Sequence, residues 1–293
     1  MTVDAFRTKP SRLKRPSISP LRYPGGKASL YTRLRALLRY NGLTSGTYVE
    51  PYAGGAGAAL GLLVTGQVKE VAINDLDPAI FAFWKSLIDS PSDFSQLIRE
   101  ARLSVDEWQK QRDAYLNAPR DDYLRLGFAT FYLNRTNRSG VLNGGPIGGM
   151  DQTGNYKIDA RFNKDGLTER VRLIGMYGKR ISVHNMDGIA LINQYADSPN
   201  TLIYADPPYF EKAGSLYLNS FTSGDHEALA ACLNGLNDRR WLLTYDNVPQ
   251  VAQLYGERRS EEFSLNYSAH RVMKAKEIMV YSDALVTDEE RLL

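Results

Sequence analysis

With 293 residues, 43% of them hydrophobic, the chain is long enough for one large domain or for a core domain carrying an insertion. No apolar run reaches the roughly 20 residues that a membrane span needs, and the basic, Pro/Ser-rich start lacks the apolar stretch of a secretory signal. The single cysteine, Cys232, excludes an internal disulfide and argues against a cysteine-based zinc site. Net charge is only +3 but uneven: the first 40 residues hold ten Lys/Arg against one Asp, and residues 120–180 hold eleven against six acidic residues. These features favour the cytoplasm, no membrane partner, and a polyanion such as nucleic acid. A solvated tail plus ordinary surface charge would give the same totals.

Residues 1–20, with Pro10, Pro16, Pro20 and five basic residues, read as a flexible basic arm. "RYPGGK" (22–27) tempts a phosphate-loop reading, but GxxxxGK[ST] is absent. Lys27 suits pairing with a carboxylate and Tyr23 suits stacking on a flat ring, while the stretch alone is equally a turn. "TYVEPYAGGAGAALGLL" (47–63) predicts strand, Gly-rich turn and helix. Gly54, Gly55 and Gly57 let a ligand approach the backbone, and the helix start offers free N–H groups to an anion. The next strand, "EVAIND" (70–75), ends in Asn74-Asp75, where an acid can accept hydrogen bonds from ribose hydroxyls. Helix packing for the glycines and a helix cap for Asp75 explain the same residues as well.

"LDPAIFAFWKSLI" predicts a helix, and residues 86–133 keep helical spacing without a strong strand signal. From 134 to 166 the chain is rich in Gly, Asn and Arg, a long loop or irregular hairpin of the kind that is often functional. Strands return at 181–185, 201–205, 241–247 and 277–282, with the helix "GDHEALAACLNGL" between two of them. Alternating strands and helices imply a mainly parallel sheet with helices on both faces. The expected organisation is an α/β sheet domain (21–85 and 181–293) with residues 86–180 inserted.

"TLIYADPPYF" (201–210) is an apolar strand that ends on an acid and two prolines. Neither proline can donate to a sheet ladder, so the strand stops there. It presents a carboxylate and a ring at its carboxyl end, where ligands of open α/β sheets bind. His184, His226 and His270 read as structural, with His226 placed to cap a helix start. Cys232 reads as a small core residue. No convincing metal cluster is present.

YPGGK, EPYAGGAG, ND, a basic insertion and DPPY, in that order, resemble the Dam-like (D12 class) DNA adenine-N6 methyltransferases from about residue 20 to 285. "FYLNR" (131–135), "SFTSGDHEALA" (220–230), "LLTYDN" (242–247) and "KAKEIMVY" (274–281) also look like family segments. The order of motifs resembles the alpha group of amino-methyltransferases. The resemblance implies a Rossmann-like methyltransferase sheet with an inserted helical and loop subdomain that reads DNA, and S-adenosylmethionine as methyl donor. By residue, it places Tyr23, Lys27, Glu50, Tyr52, Ala53, Gly54, Asp75, Asp187 and Asp206 at the cofactor, Asp187 by a looser match. Asp206, Pro207, Pro208 and Tyr209 fall on the catalytic motif.

The implied chemistry is direct. Hydrogen bonds from the adenine amine to Asp206 and to the Pro207 carbonyl hold both protons and aim the lone pair at the methyl group, while Tyr209 stacks on a base taken out of the duplex. Arg135, Arg138, Asn143, Lys157, Arg161 and Lys164 are the candidate DNA contacts, most of them to phosphates. Family members that read GATC carry aromatic-Asn-Gly-Leu-x-Arg just after "LNR". Here Arg138, Ser139 and Asn143 replace the aromatic, the Asn and the Arg, which implies another site or a looser set. RNA adenine or cytosine-N4 methylation, and a catalytically inactive cofactor-sensing DNA-binding protein, are the alternatives. DPPY and the intact glycine turn argue against both. Service in restriction-modification, with a cognate restriction or defence component as partner, in a phage, or in host regulation stays open.

Overall fold

The computed structural model describes residues 18–22, 30–210, 221–268 and 272–287. One seven-stranded sheet has the order β3-β2-β1-β4-β5-β7-β6. Strands β1 (Thr47–Glu50), β2 (Glu70–Asn74), β3 (Ile181–His184), β4 (Thr201–Ala205) and β5 (Trp241–Asp246) run parallel. Strands β6 (Arg259–Ser268) and β7 (Val272–Tyr281) run antiparallel, with β7 against β5. The mainly parallel Rossmann-like sheet is as expected, but β6 was not foreseen. Its Arg259-Ser260-Glu261-Glu262 start has no apolar run, because it forms a half-exposed edge of the sheet.

Strands β4 and β5 are buried along their whole length, and β1 and β2 beyond their first residue, as expected for parallel strands covered on both faces. Alternation then divides their side chains between two cores. Tyr48, Val71, Ile73, Leu202, Tyr204, Leu242 and Met279 face the larger one. Val49, Ala72, Ile203, Ala205, Leu243, Tyr245 and Val280 face the other. The first core is covered by α1 (Tyr31–Tyr40), α2 (Gly57–Val64) and α3 (Pro78–Asp89), together with α4 (Pro91–Glu100), α5 (Val105–Asn117), α6 (Tyr123–Thr136) and α7 (Lys164–Met176). The second is covered by α8 (Gly188–Ala196), α9 (Ser223–Gly235) and α10 (Pro249–Tyr255).

Residue 86 lies inside α3, so the helices additional to a simple strand-helix-strand crossover are α4–α7. They do not form a separate core: Phe94, Phe128 and Phe131 join Phe83 of α3 in one aromatic cluster. Gly127 lets α6 lie directly on α3, since a Cβ there would stand 2.5 Å from the Ala82 carbonyl oxygen and against the Ser86 hydroxyl. The loop after α6 is organised by the fully buried Asn137. Its amide donates to the carbonyls of Val141 (2.8 Å) and Leu142 (3.0 Å), and its oxygen accepts from the Trp108 indole at 2.6 Å.

Candidate active site

The order of strands reverses between β1 and β4, which lie side by side. In open α/β sheets the crevice beyond the carboxyl ends at that point is where ligands bind. Four strand ends bring carboxyl groups there: Glu50 closes β1, Asp75 follows β2, Asp206 follows β4 and Asp246 closes β5. Glu277, opposite Asp246 in register on the antiparallel β7, adds a fifth.

Between β1 and α2 the chain turns tightly. Gly54 has φ of 47° and Ala56, a non-glycine, has φ of 45°, both left-handed. The turn is stitched to its surroundings. Gly54 N donates to Asp75 Oδ2 at 3.1 Å, the Trp84 indole donates to the Gly54 carbonyl at 2.8 Å, and Ala53 N donates to the Asn74 carbonyl at 2.8 Å. The buried Asn74 amide bridges two loops by donating to the carbonyls of Pro51 and Met186 at 2.8 and 2.9 Å. Asp75 is not the helix cap it could have been. Asp77 caps α3 by accepting from Ala79 N at 2.8 Å, while Asp75 takes Asp77 N on its Oδ1 at 3.0 Å.

Glu50 is 5% exposed and accepts from Ala59 N in the first turn of α2 at 3.0 Å. Burial pushes its carboxyl up to about 8, against the opposing pull of its hydrogen bonds, and the nearby Asp206 adds to the rise. Burial likewise raises Asp75 to about 7, although the N–H groups of Asp77 and Gly54 favour its charged form. Tyr52 packs its ring on Gly188 and edge-on against Phe221 at 5.7 Å, which brings it beside Asp187. Asp187 is exposed, and its Oδ1 caps α8 by accepting from Ile189 N (2.9 Å) and Ala190 N (3.1 Å).

Asp206 is held by one expected residue, Tyr209, and by one the sequence did not single out, Thr244. Thr244 Oγ1 and the Tyr209 hydroxyl both donate to its Oδ1, at 2.8 and 3.1 Å. Tyr209 is 8% exposed, packs 6.0 Å from Tyr245, and its phenol is raised by burial, then by Asp206 and Glu277. Phe210 N donates to Asp246 Oδ1 at 3.2 Å, and its ring stacks on His226 at 3.6 Å. His226 therefore does not cap: the cap of α9 is a reciprocal Thr222–Asp225 box. His226 is buried and hydrogen-bonded through Nδ1 to the Tyr245 hydroxyl. Thr244, Asp246 and His226 sit in "LLTYDN" and "SGDHEALA", segments noted as strand, as helix and as like the family's, with no site role given to these three residues. Glu277 lies in "KAKEIMVY", noted as like a family segment, but had no signal of its own beyond an acid at the head of an apolar strand.

The other expected site residues divide. Glu50, Tyr52, Ala53, Gly54, Asp75 and Asp206 share the carboxyl edge, with Asp187 at its β3 side. Tyr23, Lys27 and His270 lie outside the described residues, as do residues 1–17 of the expected arm. Arg135, Arg138, Asn143, Lys157, Arg161 and Lys164 lie on α6, on the loop after it and at the start of α7. Arg138, Asn143, Lys157 and Arg161 are exposed, and Arg135 and Lys164 are half-buried. Lys157 Nζ donates to the Gln152 carbonyl at 2.6 Å and Lys164 Nζ to the Arg99 carbonyl at 2.8 Å. Cys232 is only partly buried, at the margin of the second core.

The chain belongs to the D12 class N6 adenine-specific DNA methyltransferase family, whose model matches residues 23–278. Among curated proteins none matches the chain. Among solved structures it is similar to PH1948 from Pyrococcus horikoshii, solved as a candidate RNA methyltransferase. That likeness has a TM-score of 0.43 and 10% identity, over 92% of this chain and 90% of that one.

Proposed function

We propose that the protein is a site-specific DNA adenine-N6 methyltransferase that uses S-adenosylmethionine and acts on an adenine flipped out of double-stranded DNA, at a site other than GATC. The observation that carries the reading is Asp206-Pro207-Pro208-Tyr209 at the end of β4, across the strand reversal from Glu50, Gly54 and Asp75.

The residues present fit the methyl donor. The left-handed Gly54 lets a ligand lie against the backbone. Asp75 takes one N–H on each carboxylate oxygen, which leaves a lone pair on each for the hydroxyls of a ribose. Tyr52 lies beside Asp187, where the base of a nucleoside would stack. S-adenosylmethionine, when bound, supplies an electrophilic methyl group on a sulfonium.

The protein's own part is alignment. Thr244 and Tyr209 orient the Asp206 carboxylate. The adenine amine donates one proton to that carboxylate and the other to the Pro207 carbonyl, whose direction the two prolines fix. With both protons held, the nitrogen lone pair points out of the ring plane, and positioning at near-attack distance accounts for much of the rate. Tyr209 supplies a stacking face for the flipped base, worth about 1–3 kcal/mol. The basic loop after α6 grips the duplex. Such an enzyme works where DNA is, in the cytoplasm, with residues 86–180 as its target-reading part.

The test is transfer of a labelled methyl group to DNA, RNA and protein offered separately. Label in N6-methyladenine of DNA is expected. Label confined to RNA, to cytosine or to protein would replace the reading, and no transfer with retained cofactor binding would point to a sensor.

A further inference from the structure

Four arginines meet at the C-terminal end of α6. The Asn134 side chain fixes Arg22 there, accepting from Arg22 N at 2.7 Å and donating to the Arg22 carbonyl at 2.8 Å. From this anchored segment, Arg22 Nη1 donates to the Asn137 carbonyl at 3.1 Å. Arg135 Nη1 reaches the Pro20 carbonyl at 3.5 Å, and Arg170 Nη1, from α7, donates to the Ser19 carbonyl at 3.0 Å. Arg161 joins them because the next residue, Phe162, is buried with its ring 5.4 Å from Phe131 and 5.7 Å from Tyr132 of α6.

The cluster is positive, and no carboxylate is paired with it among the described residues. Each guanidinium carries five N–H donors and accepts nothing. Arg22, Arg135 and Arg170 each spend one on a carbonyl, and Arg161 lies over the Tyr156 ring at 5.9 Å. The Nε–H of Arg135 is buried without a partner. Burial, then the charges of Arg22, Arg170 and Arg161, bring Arg135 down to about 10, and burial and Arg161 lower Arg22. Forked donors grouped about the 19–22 segment, with no carboxylate paired to them among the described residues, match a tetrahedral oxyanion.

We propose that Arg22, Arg135, Arg161 and Arg170 form a cradle for one phosphate group, a backbone phosphodiester of the DNA duplex. This rests on the reading of DNA as substrate and adds which surface grips the backbone. Arg22 and Arg170 belong to the grip, although neither lies in the glycine-rich loop. Lys157, tied to Gln152, and Arg138, beside Gly149, lie outside it. A phosphate gripped here also bears on the 19–22 segment, since three of the four guanidinium groups touch its backbone or carry it.

The same chemistry could come from a small phosphate ligand, so the test has two arms. Arg161→Gln changes an exposed residue whose contact is a tyrosine ring, and Arg170→Gln serves as a second variant. In the first arm, binding of a fixed-length duplex is measured against salt. Each variant should bind five- to tenfold more weakly at low salt, evenly across sequences, with the slope of log K on log salt reduced by about one. A single methylphosphonate at the gripped position should weaken the parent protein and leave the variants unaffected.

In the second arm, pyrophosphate is added in thermal melts. A rise in Tm for the parent protein but not for Arg161→Gln, with the DNA slope unchanged, would keep the cradle and overturn the duplex as its ligand. Without added anion at low salt, Arg161→Gln should melt no lower than the parent, because it relieves repulsion. A lower Tm with unchanged slope and unchanged pyrophosphate response would overturn the proposal. If the protein methylates DNA but both responses are unchanged, the cradle alone fails. If it methylates no DNA and pyrophosphate still discriminates the variants, the DNA reading alone fails.

Discussion

The hydroxyl of Thr244 on β5 donates a 2.8 Å hydrogen bond to Asp206 Oδ1 at the end of β4. Thr244 has one proton to give, so its 2.7 Å bond with the Tyr204 hydroxyl must run the other way, from Tyr204 to Thr244. Two neighbouring strands thus share a buried relay that ends on the carboxylate proposed to hold the target amine. Its direction is set by the acceptor at its end.

Thr244→Val should therefore slow methyl transfer with little change in DNA affinity. A hydrogen bond to a charged group is worth about 1.5–3 kcal/mol, which corresponds to about ten- to hundredfold in single-turnover rate. Thr244→Ser should recover most of the loss. Slowing by Thr244→Ser with Thr244→Val unimpaired would mean that the methyl group's packing matters and the hydroxyl does not.

Asp75 sets an expected pH dependence. In the proposed cofactor complex its ionised form accepts from ribose hydroxyls, and burial raises its carboxyl to about 7. Affinity for S-adenosylhomocysteine should be full above that pH and fall by up to tenfold per unit below it. In the free protein the sign is opposite. The folded pKa lies above the unfolded value of about 3.9, so the charge opposes folding and stability declines as pH rises from about 4 to about 7. Calorimetric titration at pH 5.5 and 8, with Asp75→Asn alongside, measures the binding step. A pH step that persists in Asp75→Asn would assign it to another group.

The close approach of α3 and α6 depends on Gly127. Gly127→Ala should push the helices apart and cost about 1–3 kcal/mol, the usual range for overpacking, read as a fall in urea midpoint. Unchanged stability would show that the Ala82 turn can yield.

The target site should differ from GATC. By the family resemblance, Asn143 takes the place of an arginine that would bind guanine O6 and N7, and its amide suits adenine instead. Loss of that contact removes about 1–3 kcal/mol of discrimination. Single-molecule sequencing of unmodified genomic DNA exposed to the protein should map N6-methyladenine to other sites or to a relaxed set. Modification confined to GATC would contradict this.

The parts of the molecule that repeat a period were legible in the sequence. "TLIYA" and "WLLTYD" are apolar throughout because both sheet faces are covered, and they are β4 and β5 as expected. Punctuation was legible too: Gly54 and the two prolines after Asp206 have backbones that few other residues allow. What stayed hidden depends on pairing across the sheet. Thr244, Asp246 and Glu277 are a threonine and two acids in apolar strands, and only the register beside β4 gives them a role. Likewise, "SGDHEALA" identifies a helix start, but that His226 packs inward on Phe210 while Thr222 and Asp225 cap the helix follows from tertiary contact. Edge strand β6 lacked an apolar run because one side of it meets solvent. The arginine cluster joins residues up to 148 positions apart, from Arg22 to Arg170, and no local pattern announces it.

The most direct test of the account is methyl transfer by Asp206→Ala, with DNA binding measured on the same preparation. If the carboxylate at the end of β4 holds the adenine amine, transfer should fall by more than a hundredfold while duplex affinity stays nearly unchanged. Turnover retained within tenfold, about 1.4 kcal/mol of barrier, would place the chemistry elsewhere.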